Sequence, residues 1–71
     1  MSDEKHVINL DGEDTSILNK KGWYLVTYYK SSESSRAYNL AVEKAYSIER
    51  QVGLRTYNKD EDIYWEVWEK W

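Results

Sequence analysis

The feature that most constrains the fold is a run of seven residues, 23–29, in which every side chain except Leu25 is aromatic or β-branched. Such side chains fit the pleated surface of a sheet, so the run predicts a β-strand. Both faces of this strand are rather apolar, which is typical of a central position in a sheet. The alternation of side chains along a strand puts Leu25 on one face and both Tyr24 and Tyr28 on the other.

The second constraint on the fold comes from residues 36–52, in which apolar side chains recur at intervals of three and four. This spacing predicts a helix with one stripe facing a core. The stripe consists of Tyr38, Ala41, Ala45, Ile48 and Val52. Ala41 and Ala45 are small enough to let the helix approach a sheet closely, and we expect it to cover the face that carries Leu25. Gly53 fits the left-handed position that commonly follows a helix.

Shorter strands are predicted at 7–10, 54–57 and 63–71. The last two flank the charged stretch 58–62 and would form a hairpin. Segment 13–21 has two interpretations, one or two helical turns or a loop that leads into a hairpin. In the helical case Asp14 or Thr15 would be the N-cap and Gly22 would end the helix.

This order of elements predicts the α+β class, with a small antiparallel sheet of three to four strands and one main helix, about 36–52, on one face. Residues 1–5 are expected to be disordered and 6–71 to form a single domain. A chain of 71 residues buries only a modest core. No cysteine is present to add a disulfide, so the four Trp and seven Tyr are expected to supply much of the buried area.

Charge and composition limit the compartment and the classes of partner that we expect for this chain. The N-terminal residues lack the basic start and apolar run of a signal peptide, and no stretch approaches the roughly 20 apolar residues of a membrane span. We therefore expect a cytoplasmic protein with no membrane contact. The formal net charge is −3, from 13 acids and 10 bases. Nucleic-acid binders normally carry a basic surplus, so direct binding of nucleic acid is disfavoured.

Catalytic groups are scarce in this sequence. His6 is the only histidine and lies in the polar N-terminal stretch, whereas a catalytic base needs a rigid, oriented position. Asp11, Glu13 and Asp14 could do acid–base work only in a pocket that shifts their pKa values. They are interpreted as a polar turn and a helix cap. We therefore expect no enzymatic activity and no cofactor.

The stretch from Asn58 to Glu69 is similar in spacing to a calcium-binding loop, with oxygen ligands at Asn58, Asp60, Asp62 and Glu69. The loop needs glycine at its sixth position, and this chain has Ile63 there. The residues after Ile63 also alternate as a strand does, where a calcium loop would lead into a helix. The stretch is interpreted as a hairpin loop, and no metal is expected.

The remaining candidate site is the sheet face that the main helix leaves uncovered. If Ile63, Trp65 and Val67 face the helix, the alternate residues of that strand point away from it. Aromatic side chains beside acids then resemble an apolar patch with a charged rim. The predicted partner-binding residues are Tyr24, Tyr28, Asp60, Glu61, Asp62, Tyr64, Glu66 and Trp68. Segment 13–21, or a second copy of the chain, could instead cover this face.

Two resemblances follow from these segments. Residues 18–26, a short helix, Gly-Trp and a strand, resemble a passage in small bacterial domains of unknown function. The strand 23–29, the helix 36–52, the acids 60–62 and the aromatic end 65–71 together resemble small acidic phage-encoded inhibitor proteins, anti-CRISPR proteins among them. The second resemblance implies a small, cysteine-free α+β inhibitor without enzymatic motifs, and it identifies no functional residue.

Three functional hypotheses remain. The first is a protein-binding module, an inhibitor that occludes a basic surface of a host protein, where its acids could stand in for phosphates. The second is a self-associating structural or regulatory module, for example a homodimer. The third is single-stranded nucleic-acid binding by base stacking on Tyr24, Tyr28, Tyr64 and Trp68. The missing basic groove counts against the third.

Overall fold

The computed structural model describes residues 7–71, so the expected disorder of 1–5 and the position of His6 lie outside the described residues. The elements in chain order are β1 (Val7–Asn9), α1 (Thr15–Lys20), β2 (Trp23–Lys30), α2 (Ala37–Ser47), β3 (Val52–Lys59) and β4 (Asp62–Lys70). The four strands form one sheet in the order β1-β3-β4-β2. The predicted α+β class, with the longer helix packed on a small sheet, is therefore confirmed.

The sheet is mixed, which corrects the expectation of an antiparallel one. β4 pairs antiparallel with both β3 and β2, whereas β1 pairs parallel with β3. A parallel pair needs a long crossover connection, and the chain between β1 and β3 supplies one through α1, β2 and α2. β2, which we expected at the centre, lies at an edge, and β3 and β4 take the two interior positions.

A β-bulge in β2 changes which side chains share a face. Leu25 pairs with Trp68, but Thr27 pairs with Val67, so one extra residue is inserted between them. The insertion reverses the alternation of side chains beyond it. Leu25 and Tyr28 therefore lie on the same face. The predicted packing of the main helix over Leu25 is wrong, and the Leu25 side chain is 42% exposed.

The β3–β4 hairpin closes through a two-residue turn at Asp60 and Glu61. Both residues have positive φ, 53° and 66°, as in the type I′ turns that join twisted antiparallel strands. The turn fixes the register, in which Lys59 pairs with Asp62 and Tyr57 with Tyr64. The charged stretch predicted as a five-residue loop is therefore mostly strand.

α2 buries Ala41 and Ala45 against the sheet, in a cluster with Val52 and Val67. The helix ends at Ser47 and not at residue 52, because Val52 is already the first residue of β3 and pairs with both β1 and β4. The C-cap role that we predicted for Gly53 is therefore wrong.

Gly53 lies inside β3, where it allows β1 to approach. A Cβ atom at this position would lie 2.6 Å from Leu10 Cδ1 and 3.0 Å from the carbonyl oxygen of Ile8. The glycine is thus needed for the packing of Leu10, the residue that follows β1, and not for the end of a helix.

Segment 13–21 contains the helix α1, which confirms its helical interpretation. α1 covers part of the sheet face opposite α2. The Asp14 carboxylate accepts a hydrogen bond from Ser16 N–H at 2.9 Å and caps the helix, and Gly22, with φ +97°, follows its end. The helix inserts Leu18 into a cluster of buried residues with Leu10, Trp23 and Trp68. Because α1 has only six residues, it shields one end of this face.

Candidate protein-binding surface

The sheet face opposite α2 divides into a covered half and an open face. The covered half comprises Trp23, Gly53 and Trp68, beneath Leu10 and Leu18. The open face comprises the partly or largely exposed side chains farther along the same strands: Leu25, Tyr28, Lys30, Arg55, Tyr57 and Tyr64. Paired residues on neighbouring strands share a face, so the strand register alone brings these six together.

The tyrosines of the open face form a ladder across three strands. Tyr57 and Tyr64 stack with ring centroids 4.8 Å apart and planes inclined by 13°. Tyr28 leans against Tyr64, with centroids 5.9 Å apart. The Lys30 Nζ atom lies 5.4 Å from the Tyr64 centroid, and Arg55 Cζ lies 4.9 Å from the Tyr57 centroid. The faces of Tyr57 and Tyr64 therefore already contact other side chains of the chain.

Glu66 holds the open face to the covered half. The side chain is buried, and its Oε1 accepts hydrogen bonds from Arg55 Nη1 and from Trp68 Nε1, each at 2.9 Å. Arg55 Nε also donates to the carbonyl oxygen of Glu13 at 2.9 Å, which anchors the turn before α1. We predicted Glu66 as a partner contact, but the structure buries it in this network, where it positions Arg55 and Trp68.

The environment of the ladder affects two titratable groups. Burial raises the pKa of the Tyr57 hydroxyl, and the nearby Glu66 and Tyr64 raise it further. Tyr64 and Glu33 raise the pKa of the Lys30 ammonium. At neutral pH the open face therefore presents an un-ionised Tyr57 and a charged Lys30, one on each side of Tyr64.

Two of the predicted contact residues, Trp68 and Tyr24, do not belong to the open face. Trp68 is only 3% exposed, so the prediction that it projects from an uncovered surface is wrong, and α1 provides the cover. Tyr24 lies on the opposite face, because it pairs with Glu69 and the bulge reverses the alternation between Tyr24 and Tyr28. Its hydroxyl donates to Glu69 Oε1 at 2.6 Å, which raises the pKa of Tyr24, and its ring stacks on Trp71 at 5.4 Å.

The acids of the hairpin have two separate roles. Asp60 and Glu61, which we call the hairpin tip, are exposed. The Asp62 carboxylate instead accepts hydrogen bonds from Ser32 N–H at 3.0 Å and from Ser32 Oγ at 2.5 Å. These bonds lower the pKa of Asp62 and fasten the turn after β2 to the start of β4. The hairpin tip therefore offers two exposed carboxylates beside the open face, whereas the Asp62 carboxylate is bonded to Ser32.

The structure adds four residues that the sequence reasoning did not assign to the surface: Leu25, Lys30, Arg55 and Tyr57. One signal could have identified Tyr57. A two-residue turn at Asp60 and Glu61 necessarily pairs Tyr57 with Tyr64. Leu25 could not have been assigned to this surface from the sequence, because the bulge decides whether it shares a face with Tyr28.

Within residues 7–71 no group of three or more His, Cys, Asp or Glu side chains is placed to hold a metal ion, and no helix is both long and apolar enough to cross a bilayer. No protein-family model, curated protein or solved structure matches the chain.

Proposed function

We propose that this chain is a non-enzymatic protein-binding module that uses the open face and the hairpin tip to cover a basic surface of another protein. The observation that carries the proposal is the exposure of two large side chains, Leu25 at 42% and Tyr28 at 48%, on one face of the sheet. Both lie beside the tyrosine ladder.

The open face has the features of an interface centre. Aromatic side chains are enriched among the residues that dominate binding energy, and Tyr loses little rotamer freedom when it binds. Tyr57 and Tyr64 already restrain each other by stacking, which lowers the entropy cost of ordering them further. Within the open face, Leu25 and Tyr28 are the large apolar side chains with the greatest fractional exposure. We therefore expect Tyr28 to be the principal anchor.

The charge at the hairpin tip favours a basic partner. Asp60 and Glu61 are adjacent and exposed in a tight turn, and the whole chain carries a net charge of −3. Complementary charge accelerates association and selects against acidic surfaces. An inhibitor of this kind would act by occupying the basic surface, in keeping with the resemblance to small phage-encoded inhibitors.

Stacking of single-stranded nucleic acid fits the open face less well. Base stacking needs free aromatic faces and a cationic groove for the phosphates. The faces of Tyr57 and Tyr64 contact each other, Arg55 and Lys30. Of the two cations, Arg55 is also committed to an ion pair with Glu66 at 2.9 Å.

Self-association is the second candidate, favoured by the position of β2 at the sheet edge. Ser31 N–H donates to the Ile63 carbonyl oxygen at 2.9 Å. By the alternation of the ladder, the backbone groups of Tyr28 and Lys30 therefore point outward. An unpaired edge can add a strand from a second copy. The bulge after Leu25 interrupts that edge, which makes this candidate the weaker one.

Affinity capture with matched tyrosine variants tests the proposal. The immobilised chain is exposed to a lysate of its native host, and captured proteins are quantified by mass spectrometry for the parent, Tyr28→Ala and Tyr46→Ala. Tyr46 lies on α2 and is 57% exposed, so it controls for the loss of an exposed tyrosine. We expect a partner that the parent and Tyr46→Ala retain and that Tyr28→Ala binds at least about tenfold more weakly.

Three results would contradict the proposal. The partner could bind Tyr28→Ala as well as the parent, the capture could be lost on nuclease treatment, or sedimentation could show a dimer that the Tyr28→Ala change disrupts. The second and third results would support nucleic-acid binding and self-association respectively.

The role of the hairpin tip has its own test. Combined Asp60→Asn and Glu61→Gln changes remove both free carboxylates while Asp62 keeps its bonds to Ser32. With the captured partner, we expect slower association at low salt and a weaker salt dependence, with little change in dissociation. Glu49→Gln, an exposed acid between α2 and β3, should leave both rates near those of the parent.

A further inference from the structure

The outer edge of β3 is only partly covered by β1. β1 pairs with Val52, Gly53 and Leu54, and the next residue, Leu10, donates its N–H to the Leu54 carbonyl oxygen at 2.8 Å. The Asp11 carboxylate then accepts Thr56 N–H at 2.7 Å. Beyond this point the chain turns away from the edge.

The register identifies the backbone groups that this turn leaves unpaired. Lys70 N–H donates to the Gln51 carbonyl oxygen, so by alternation Tyr57 faces β4 while Thr56 and Asn58 face outward. The Thr56 carbonyl and both backbone groups of Asn58 make no hydrogen bond with any other part of 7–71. This leaves a short template for one more strand.

A groove opens beside this edge on the α2 side of the sheet. It has a volume of about 200 Å³, smaller than the roughly 300–1,000 Å³ of most small-molecule sites. Its apolar walls come from Val7, Leu54, Tyr38 and Trp65, and Tyr38 packs edge-on against Trp65 at 5.0 Å. The size and lining suit a single apolar side chain.

Acidic residues flank the same edge at both ends. Asp11 lies at one end, bonded to Thr56, and the hairpin tip, Asp60 and Glu61, follows the other end. Lys59 is the one base in 56–61. An occupant with positive charge on both sides of an apolar residue would match this distribution.

We propose that the outer edge of β3 at 56–58 binds an extended peptide segment of another protein by strand addition. The backbone of the peptide pairs with the Thr56 carbonyl and with both backbone groups of Asn58. One apolar side chain enters the groove, and Lys or Arg residues on either side of it meet the acids. Strand addition obtains affinity from the backbone and specificity from alternate side chains. The proposal goes beyond the role of the open face, because the pairing edge and the groove use other residues and only the hairpin tip is shared with the proposed function.

Peptide selection with two variants at Asn58 tests this. Random dodecapeptides displayed on phage are selected on the immobilised full chain, and the enriched peptides are then titrated against Asn58→Pro and Asn58→Ala. Proline removes the outward N–H without removing a bond to β4, and sheet edges tolerate it. Alanine retains the N–H and controls for the lost side chain. Circular dichroism confirms that each variant keeps the fold.

We expect the enriched peptides to carry an apolar residue flanked by Lys or Arg. They should bind the parent, Asn58→Ala and Tyr28→Ala alike, and Asn58→Pro at least about tenfold more weakly. Hydrogen exchange of the Asn58 amide in the parent should slow when peptide is bound, which tests the site even if Asn58→Pro does not fold. An absence of enriched peptides, an acidic consensus, undiminished binding to Asn58→Pro or unchanged exchange at Asn58 would each overturn the proposal. Sensitivity to Tyr28→Ala would instead assign the peptides to the open face.

Discussion

The covered half and the open face belong to the same strands and are both rich in aromatic residues, yet one is core and the other is surface. Trp68 on β4 is 3% exposed, whereas Leu25, its direct partner on β2, is 42% exposed. The difference in exposure has two causes. Leu10 and Leu18 lie over the Trp68 side of the sheet, and the position of β2 at the edge leaves Leu25 without a neighbour on its outer side.

This comparison shows that the alternation of side chains along a strand does not by itself tell whether an aromatic residue is buried or exposed. Tyr64 and Trp68 lie on one face of β4, with Glu66 between them. Glu66 is tolerated there because Arg55 and the Trp68 indole satisfy its carboxylate. What separates core from surface on this strand is whether Leu10 and α1, a helix of six residues, lie over the side chain.

The largest expected effect tests the covered half. Trp68→Ala should lower the free energy of unfolding by about 3–5 kcal/mol, because it removes a buried indole and one of the donors to Glu66. Tyr28→Ala on the open face should cost about 1 kcal/mol or less. Urea unfolding followed by circular dichroism compares the two. Similar losses for both variants would remove the distinction between the halves.

The close approach of β1 gives the next largest effect. Gly53→Ala would place a methyl group 2.6 Å from Leu10 Cδ1, and overpacking of this kind costs about 1–3 kcal/mol. Gly12→Ala is the control. No atom lies within 4 Å of a Cβ there, but φ is +84°, so its cost of about 1 kcal/mol would come from the backbone alone. If Gly53→Ala unfolds no more easily than Gly12→Ala, Leu10 is not packed tightly over β3.

Much of the fold could be predicted from local patterns. The strand at 23–29 follows from its aromatic and β-branched residues. The strand at 63–70 and the buried Ala41 and Ala45 follow from periodicity. The end of α2 could not be predicted, because Val52 leaves the helical stripe to pair with two strands at once. Whether Val52 belongs to the helix or to the strand depends on tertiary pairing, which overrides local propensity.

The candidate site was harder to predict, because the faces of β2 depend on one inserted residue. The simple alternation of an unbroken strand grouped Tyr24 with Tyr28, and the bulge separated them. A bulge carries no clear mark in this sequence, since the strand contains no glycine. Tyr28, Tyr64 and the hairpin tip were expected at the surface, and they are exposed or partly exposed; their role in binding stays a prediction.

A smaller effect is expected within the open face. Tyr64→Leu keeps an apolar side chain but removes the ring that contacts both Tyr57 and Tyr28. Aromatic pairs contribute about 0.5–1.5 kcal/mol beyond their buried area, so we expect a loss of about 1 kcal/mol. Tyr46→Leu, in an exposed position on α2, should cost less. Equal losses would mean that the ladder adds no stability.

The smallest expected effect concerns the pH dependence of stability, at the hydrogen bonds between Asp62 and Ser32. These bonds lower the pKa of Asp62 below its ordinary value of 3.8. A carboxyl group whose pKa is lower in the folded state stabilises the fold fully above its ordinary pKa, and the contribution disappears as the pH falls through the folded-state pKa. Between pH 6 and pH 3 the parent should therefore lose more stability than Asp62→Asn, which cannot titrate. Asp60→Asn removes an exposed carboxylate two residues away and should keep the steeper decline of the parent. Urea unfolding at each pH measures both slopes, and a decline in Asp62→Asn as steep as in the parent would show that the carboxylate of Asp62 does not fasten the turn to β4.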